Sequence, residues 1–175
     1  VKLTIEMIPN TCAFSNIRTC IKPSQWDKIR KLSYSMAMNR CEICEGRGKR
    51  QGFKHDLECH EIFEYDDVNK VQKLIGLVSL CPICHLVKHF GRASAIGKQA
   101  ICMKQLQKLN SWTHKDVVTY LKEVYELHKE RSKYEWKLDL SILNEDPYNL
   151  KLDLNKERVF KVKKYRKRKH KKKNK

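Results

Sequence analysis

Leu80-Cys81-Pro82-Ile83-Cys84-His85-Leu86-Val87-Lys88-His89 is the stretch on which the reading of this chain turns. It joins a C-x2-C pair, a proline where a helix can begin, and two histidines four residues apart. Proline suits the first turn of a helix because its missing N–H is not needed there. Histidines at i and i+4 lie on one helix face, so both imidazoles can serve one ion. A second pair, Cys41-Glu42-Ile43-Cys44, lies upstream. Each such turn converges two sulfurs, and four thiolates fill zinc's tetrahedral shell without an open position. Cys41, Cys44, Cys81 and Cys84 are therefore expected to hold one structural Zn2+, whose binding free energy is part of the folding free energy. Knuckles of this kind point to a reducing compartment. The other four cysteines, Cys12, Cys20, Cys59 and Cys102, are then expected as free thiols that pack like small hydrophobes.

The flanking residues suggest an α+β domain built on this core. Residues 57–65 partly alternate apolar and polar, and Ile62, Phe63 and Tyr65 favour extended structure. A second apolar run, residues 74–80, leads into Cys81. Two strands and then a helix from Pro82 are the expectation. Upstream, Ser24 and Asp27 are placed as a capping box, with Trp26, Ile29, Leu32 and Met36 on the inward face of a helix ending near Asn39. Downstream, Gly91 and Gly97 are expected to break the chain. A helix over residues 98–109 should then turn Ile101, Leu106 and Leu109 inward. Thr113 and Asp116 form another capping box, ahead of the clearest amphipathic pattern in the chain. The expected organisation is an extended arm (residues 1–22), a zinc-knuckle domain with flanking helices (23–143) and a basic tail (144–175).

The 175 residues carry a formal net charge of +18. Residues 161–175 hold eleven Lys or Arg and no acid, yet the remainder of the chain is still at +7. A polyanionic partner is the natural reading, nucleic acid foremost. Lys163, Lys164, Arg166, Lys167, Arg168, Lys169, Lys171, Lys172 and Lys173 are the expected phosphate contacts. Arg47, Lys49, Arg50 and Lys54 offer a second basic loop, equally well read as a solvated turn. No apolar run approaches the ~20 residues of a membrane span. No secretory signal opens the chain, since Lys2 and Glu6 interrupt its first residues. The expectation is a protein that is not secreted, has no membrane partner, and remains in the cytoplasm of a bacterial or phage-infected cell.

Around the knuckles, Leu57-Glu58-Cys59-His60-Glu61-Ile62 and the His85/His89 pair resemble the HNH, or ββα-metal, nucleases. In that family a strand carries Glu-x-(Asp or His)-His, and the helix from the second knuckle adds a metal ligand. The resemblance covers roughly residues 40–92. A looser likeness to uncharacterised bacterial and phage HNH endonuclease-like proteins extends it to about residue 143. It is carried by Pro9-Asn10-Thr11-Cys12, Ser15-Asn16-Ile17-Arg18, Trp26-Asp27-Lys28-Ile29-Arg30 and Trp136-Lys137-Leu138-Asp139-Leu140-Ser141. The resemblance implies a small zinc-knuckle ββα-metal core and metal-assisted hydrolysis of DNA phosphodiesters. Aligned on Leu57, Glu58 and Ile62, His60 falls on the metal-ligand position and Glu61 on the general-base position. His60, His85 and His89 would then share a second divalent cation such as Mg2+, Mn2+ or Ni2+, and Glu61 would take a proton from water. Two residues depart from the family: Glu61 stands where a His is usual, and Gly76 where an Asn is usual. A register one residue away makes His60 the base and puts Cys59 at the ligand position.

Three functions follow from these residues. The first is an HNH-type endonuclease, with DNA ahead of RNA as partner and a homodimer as one way to cut both strands. The second is a non-catalytic, zinc-scaffolded nucleic-acid-binding protein with a degenerate HNH site. The third is RNA or ribosome binding, to which the Lys-rich tail is equally suited.

Overall fold

A computed structural model describes residues 1–13 and 16–152 of the chain. Ser15, Tyr165 and the nine basic residues assigned to nucleic acid, Lys163 to Lys173, lie outside the described residues.

The protein is a mixed α+β fold around a small three-stranded sheet. Strands β1 (Glu58–Asp66) and β2 (Val71–Leu80) form an antiparallel hairpin, and β3 (Lys137–Asp139) adds parallel to β2, so the order is β1-β2-β3. Asp66 closes the hairpin turn by accepting from the Val68 and Asn69 amides at 2.9 Å each. Pairing runs from Glu58↔Leu80 to Ile62↔Gly76, then resumes at Phe63↔Leu74, which leaves Ile75 as the extra residue of a bulge. Because side chains alternate across a strand, His60 and Glu61 must face opposite sides of this sheet.

Among the described residues, six α-helices surround the hairpin: α1 (Ile17–Cys20), α2 (Pro23–Met36), α3 (Pro82–Lys88), α4 (Phe90–Ala95), α5 (Gln99–Asn110) and α6 (His114–Arg131). One core gathers Leu57, Leu80, Val87, Phe90, Cys102, Leu106 and Val117 around α3 and α5. A second gathers Ile17, Ile29, Leu74, Leu140, Leu143 and Tyr148 around α2 and β3. The N-terminal arm is extended but far from loose. Leu3 and Ile5 are buried, the Lys2 and Leu3 amides both donate to Asn110 Oδ1 at 2.9 Å, and the Glu6 amide donates to the Lys88 carbonyl at 3.0 Å. At the other end, Tyr148, Leu150 and Leu152 pack on the second core, so the packed body runs past residue 144.

The expected strands, the helix from Pro82 and the Thr113/Asp116 capping box are all present. Several local readings are corrected. Helix α2 starts at Pro23, one residue before the expected cap. The Lys22 amide donates to the Gln25 side chain at 2.9 Å, and Asp27 pairs with Arg30 instead. The inward face of α2 centres on Ile29 and Ser33, while Met36 is 64% exposed. Ser33 points inward because its hydroxyl meets that of Ser79 at 2.7 Å, which satisfies both buried groups. On α5, Cys102 and Leu106 face the core and Ile101 is half exposed. Gly97, at φ 71°, does end α4, but Gly91 lies within that helix. Its missing Cβ leaves room for Met7, whose Cε would come within 3.3 Å of one.

Candidate metal centres

The four knuckle sulfurs lie within 4.8 Å of one another. Cys44 and Cys81 Sγ are 3.5 Å apart. A tetrahedron of ~2.3 Å Zn–S bonds places its sulfurs about 3.8 Å apart, so this group fits a zinc ion. Local backbone builds it. The Cys41 amide donates to the Gly46 carbonyl at 3.1 Å, and Glu45 takes a left-handed φ of 58° to close the knuckle. Glu42 ties the knuckle to the end of β2. Its amide donates to the Ser79 carbonyl, and its carboxylate accepts from the Ser79 amide at 2.6 Å. Gly48 lets the next turn run against α3, since a Cβ there would sit 2.1 Å from the His55 carbonyl oxygen and 2.7 Å from Pro82. Gln105 donates to Cys84 Sγ at 3.4 Å. Cys41, Cys81 and Cys84 are buried and Cys44 is half-buried. The thiols strain against one another electrically. Burial pushes Cys44 up to about 11, hydrogen bonds with Cys81 and Cys84 pull Cys41 down, and those with Cys41 and Cys81 push Cys84 up. A bound cation relieves this by letting all four ionise.

Above the knuckles, His60 from β1 meets His85 and His89 from α3 and its end. Their ligand nitrogens also lie within 4.8 Å of one another. The ring centroids are 4.6 to 5.3 Å apart. Helix α3 ends at His89, whose ψ of 48° bends the chain into α4. The His89 amide still donates to the His85 carbonyl at 3.2 Å, so both side chains stay on one face.

Carboxylates orient two of the rings from behind. Glu6 Oε2 meets His60 Nε2 at 2.8 Å, and Glu58 pairs with His85 Nδ1. With its Nε2 engaged, His60 Nδ1 is left buried and without a hydrogen-bond partner among the described residues. His85 and His89 present their Nε2 atoms to each other at 3.1 Å. An orphaned buried nitrogen beside two facing ring nitrogens is the donor set of a trihistidine cation site, and carboxylate-backed imidazoles are the usual second layer around one. The second layer is itself held. Buried Lys88 donates to Glu6 Oε1 at 2.5 Å and to Thr4 Oγ1 at 2.8 Å, and His55 meets Glu58 Oε1 at 2.7 Å.

These contacts set the charges. Burial would raise the Glu6 carboxyl, but the His60 hydrogen bond and the Lys88 ammonium outweigh it and hold it below its ordinary value. The His85 hydrogen bond brings Glu58 down to about 2. Burial, reinforced by His85 and His60, pushes His89 down to about 3, so at neutral pH it is the unprotonated imidazole that a metal requires.

Glu61 is not one of the clustered ligand residues, although it lines the cavity beside them. Its carboxylate accepts from the Ile17 amide at 3.3 Å, at the start of α1. Gly76 lies opposite Ile62 on β2. Asp67 pairs with Arg131 at 2.6 Å rather than with the histidines. Glu6 and Lys88 escaped the sequence reading, because nothing in a stretch read as an extended arm marks one acid as the partner of a histidine 54 positions away. Beside the cluster, a cavity of about 370 Å3 runs between the N-terminal arm, the edge of β1 and α6, with Glu6, His60 and His89 among its lining residues. Among the described residues, no helix is long and apolar enough to cross a membrane. No family model, no curated protein and no solved structure matches this chain.

Proposed function

We propose that this protein is a metal-dependent nuclease of the HNH type, with a structural zinc beneath a trihistidine site that hydrolyses phosphodiester bonds. The observation that carries the reading is the buried His60 Nδ1, unpartnered among the described residues, in a residue whose ring clusters with His85 and His89, which follow the second knuckle along the chain. When bound, a divalent cation there would polarise the phosphate and acidify a water. His60, His85 and His89 hold it, and Glu6 and Glu58 fix the rings of His60 and His85 so that the correct nitrogens point inward. The walls of the adjoining cavity screen one side from solvent. Three imidazoles without a carboxylate ligand suit Ni2+ or Zn2+ better than Mg2+ or Mn2+, which prefer oxygen donors. The strongly positive chain supplies affinity for a polyanion.

One observation favours the non-catalytic alternative: Glu61, the residue expected to accept the proton, is turned to the Ile17 amide. Incubating supercoiled plasmid and a labelled single strand with the chain and each cation separates the two readings. Nicking or cutting with a transition metal, lost in His85→Ala, supports the nuclease. Retardation on a gel without cutting, for every cation and both substrates, supports the binding protein.

A further inference from the structure

The cavity beside the trihistidine cluster has a composition that phosphate chemistry alone does not require. Its floor carries His60 and His89, two of the three imidazoles. Its walls include Met7, Ile8, Phe63, Tyr65, Val124 and Leu127. At about 370 Å3 it falls within the ~300–1,000 Å3 of small-molecule pockets. Leu127 on its rim is 49% exposed, an apolar side chain left facing water on the outer helix. Arg131, at the far end, lies 4.5 Å over the ring of Tyr65. The pocket therefore offers a mainly apolar slot bordered by the metal-ligand nitrogens, with the carboxylates of Glu6, Glu61 and Glu123 also on its lining and the Arg131 guanidinium already paired with Asp67.

We infer that this cavity receives an unpaired nucleobase of the strand whose phosphate lies at the histidines, which makes single-stranded nucleic acid the substrate class. The inference rests on the nucleic-acid part of the reading above. A phosphodiester placed against His60 and His89 puts the adjoining nucleotide at the cavity mouth. A base that is stacked and paired in a duplex is tied to its neighbours and must be extruded at a cost before it can enter. An unpaired base enters without that cost and gains apolar and aromatic contact.

The test uses the full-length, metal-loaded chain and two fluorescently labelled single strands of equal length and charge, one with bases and one fully abasic. Their affinity ratio at one salt concentration cancels the phosphate contribution, including that of the basic tail. The ratio should be about tenfold in favour of bases, within the range of base–aromatic contact. It should collapse toward one in Val124→Trp, which fills the cavity, and shrink in Leu127→Ser, a half-exposed position whose change spares the core. Ile96→Ser, at an exposed apolar residue outside the cavity lining, should leave the ratio unchanged. A ratio near one in the unmodified chain overturns the inference, as does a ratio indifferent to both cavity variants. Cutting rates on single strand and duplex separate the two claims. Cutting that favours the single strand by about tenfold supports the pocket, whereas equal cutting of both removes the pocket and keeps the nuclease. Failure to cut any strand removes the hydrolytic reading and leaves the affinity ratio to decide the pocket.

Discussion

Two ligand clusters are stacked along the same hairpin and helix, and they are built in opposite ways. The four cysteines are placed by backbone: tight turns at Glu45 and Gly48, and a strand end clamped by Glu42. The three histidines are placed by other side chains, Glu6 behind His60 and Glu58 behind His85, with Lys88 behind Glu6. Three of the four cysteines are buried, while the histidines border a cavity and keep one nitrogen unpartnered among the described residues. A cluster fixed by the chain itself stabilises the fold, whereas one fixed by outer contacts can be tuned through them.

The sharpest way to break the comparison is at the cysteines. Cys81→Ser, or a strong chelator, should abolish cooperative thermal unfolding above room temperature. Structural zinc is worth on the order of 10 kcal/mol in small domains, comparable to the whole stability of one. Circular dichroism melts would show it. His85→Ala should instead keep the melt within a few degrees of the unmodified chain. Its cutting activity should fall by more than the ~10–100-fold that loss of an outer partner costs. Glu6→Gln should cost about 10–100-fold in cation affinity at the histidines, read by calorimetry, with the zinc retained.

Acid offers a smaller, graded effect on the cation-free histidine site. Glu58 is depressed to about 2 from an ordinary carboxylate, and His89 to about 3 from an ordinary imidazole. A folded-state value below the unfolded one means stability is fully present above the unfolded value and lost as pH falls toward the folded one. His89 should therefore begin to destabilise the fold below about pH 6.5, and Glu58 below about 4.5. Melting temperatures between pH 7.5 and 3.5 should fall in that order, and Glu58→Gln should remove the lower part of the decline. Glu61→Gln should matter least, about 1 kcal/mol or less in stability, since the amide keeps an acceptor for the Ile17 N–H.

What could be read from the residues follows the same division. Spacing encodes what backbone periodicity controls, so the C-x2-C pairs, the helix from Pro82 and the i,i+4 histidines were all legible. The meeting of His60 with that pair was what the HNH resemblance implied, in the register set by Leu57, Glu58 and Ile62. Glu6, Lys88 and Asn110 were not legible, because each acts across a long sequence separation by a hydrogen bond that no periodic pattern records. Ser33 was not among the residues expected inward on α2, for a related reason. A polar residue counts against burial until its partner, Ser79, is known. The opposite facing of Glu61 was available from strand alternation alone, whereas alignment to a family motif places neighbours in one site without regard to the pleat.

The central claim is that the molecule holds two metal ions for two purposes, and native mass spectrometry of the chain prepared with zinc and nickel tests it most directly. The account predicts two ions per chain, one ion per folded chain in His85→Ala, and loss of the folded state when Cys81 is replaced. A single ion in both the unmodified chain and His85→Ala would contradict it, and would reduce the three histidines to a hydrogen-bonded part of the core.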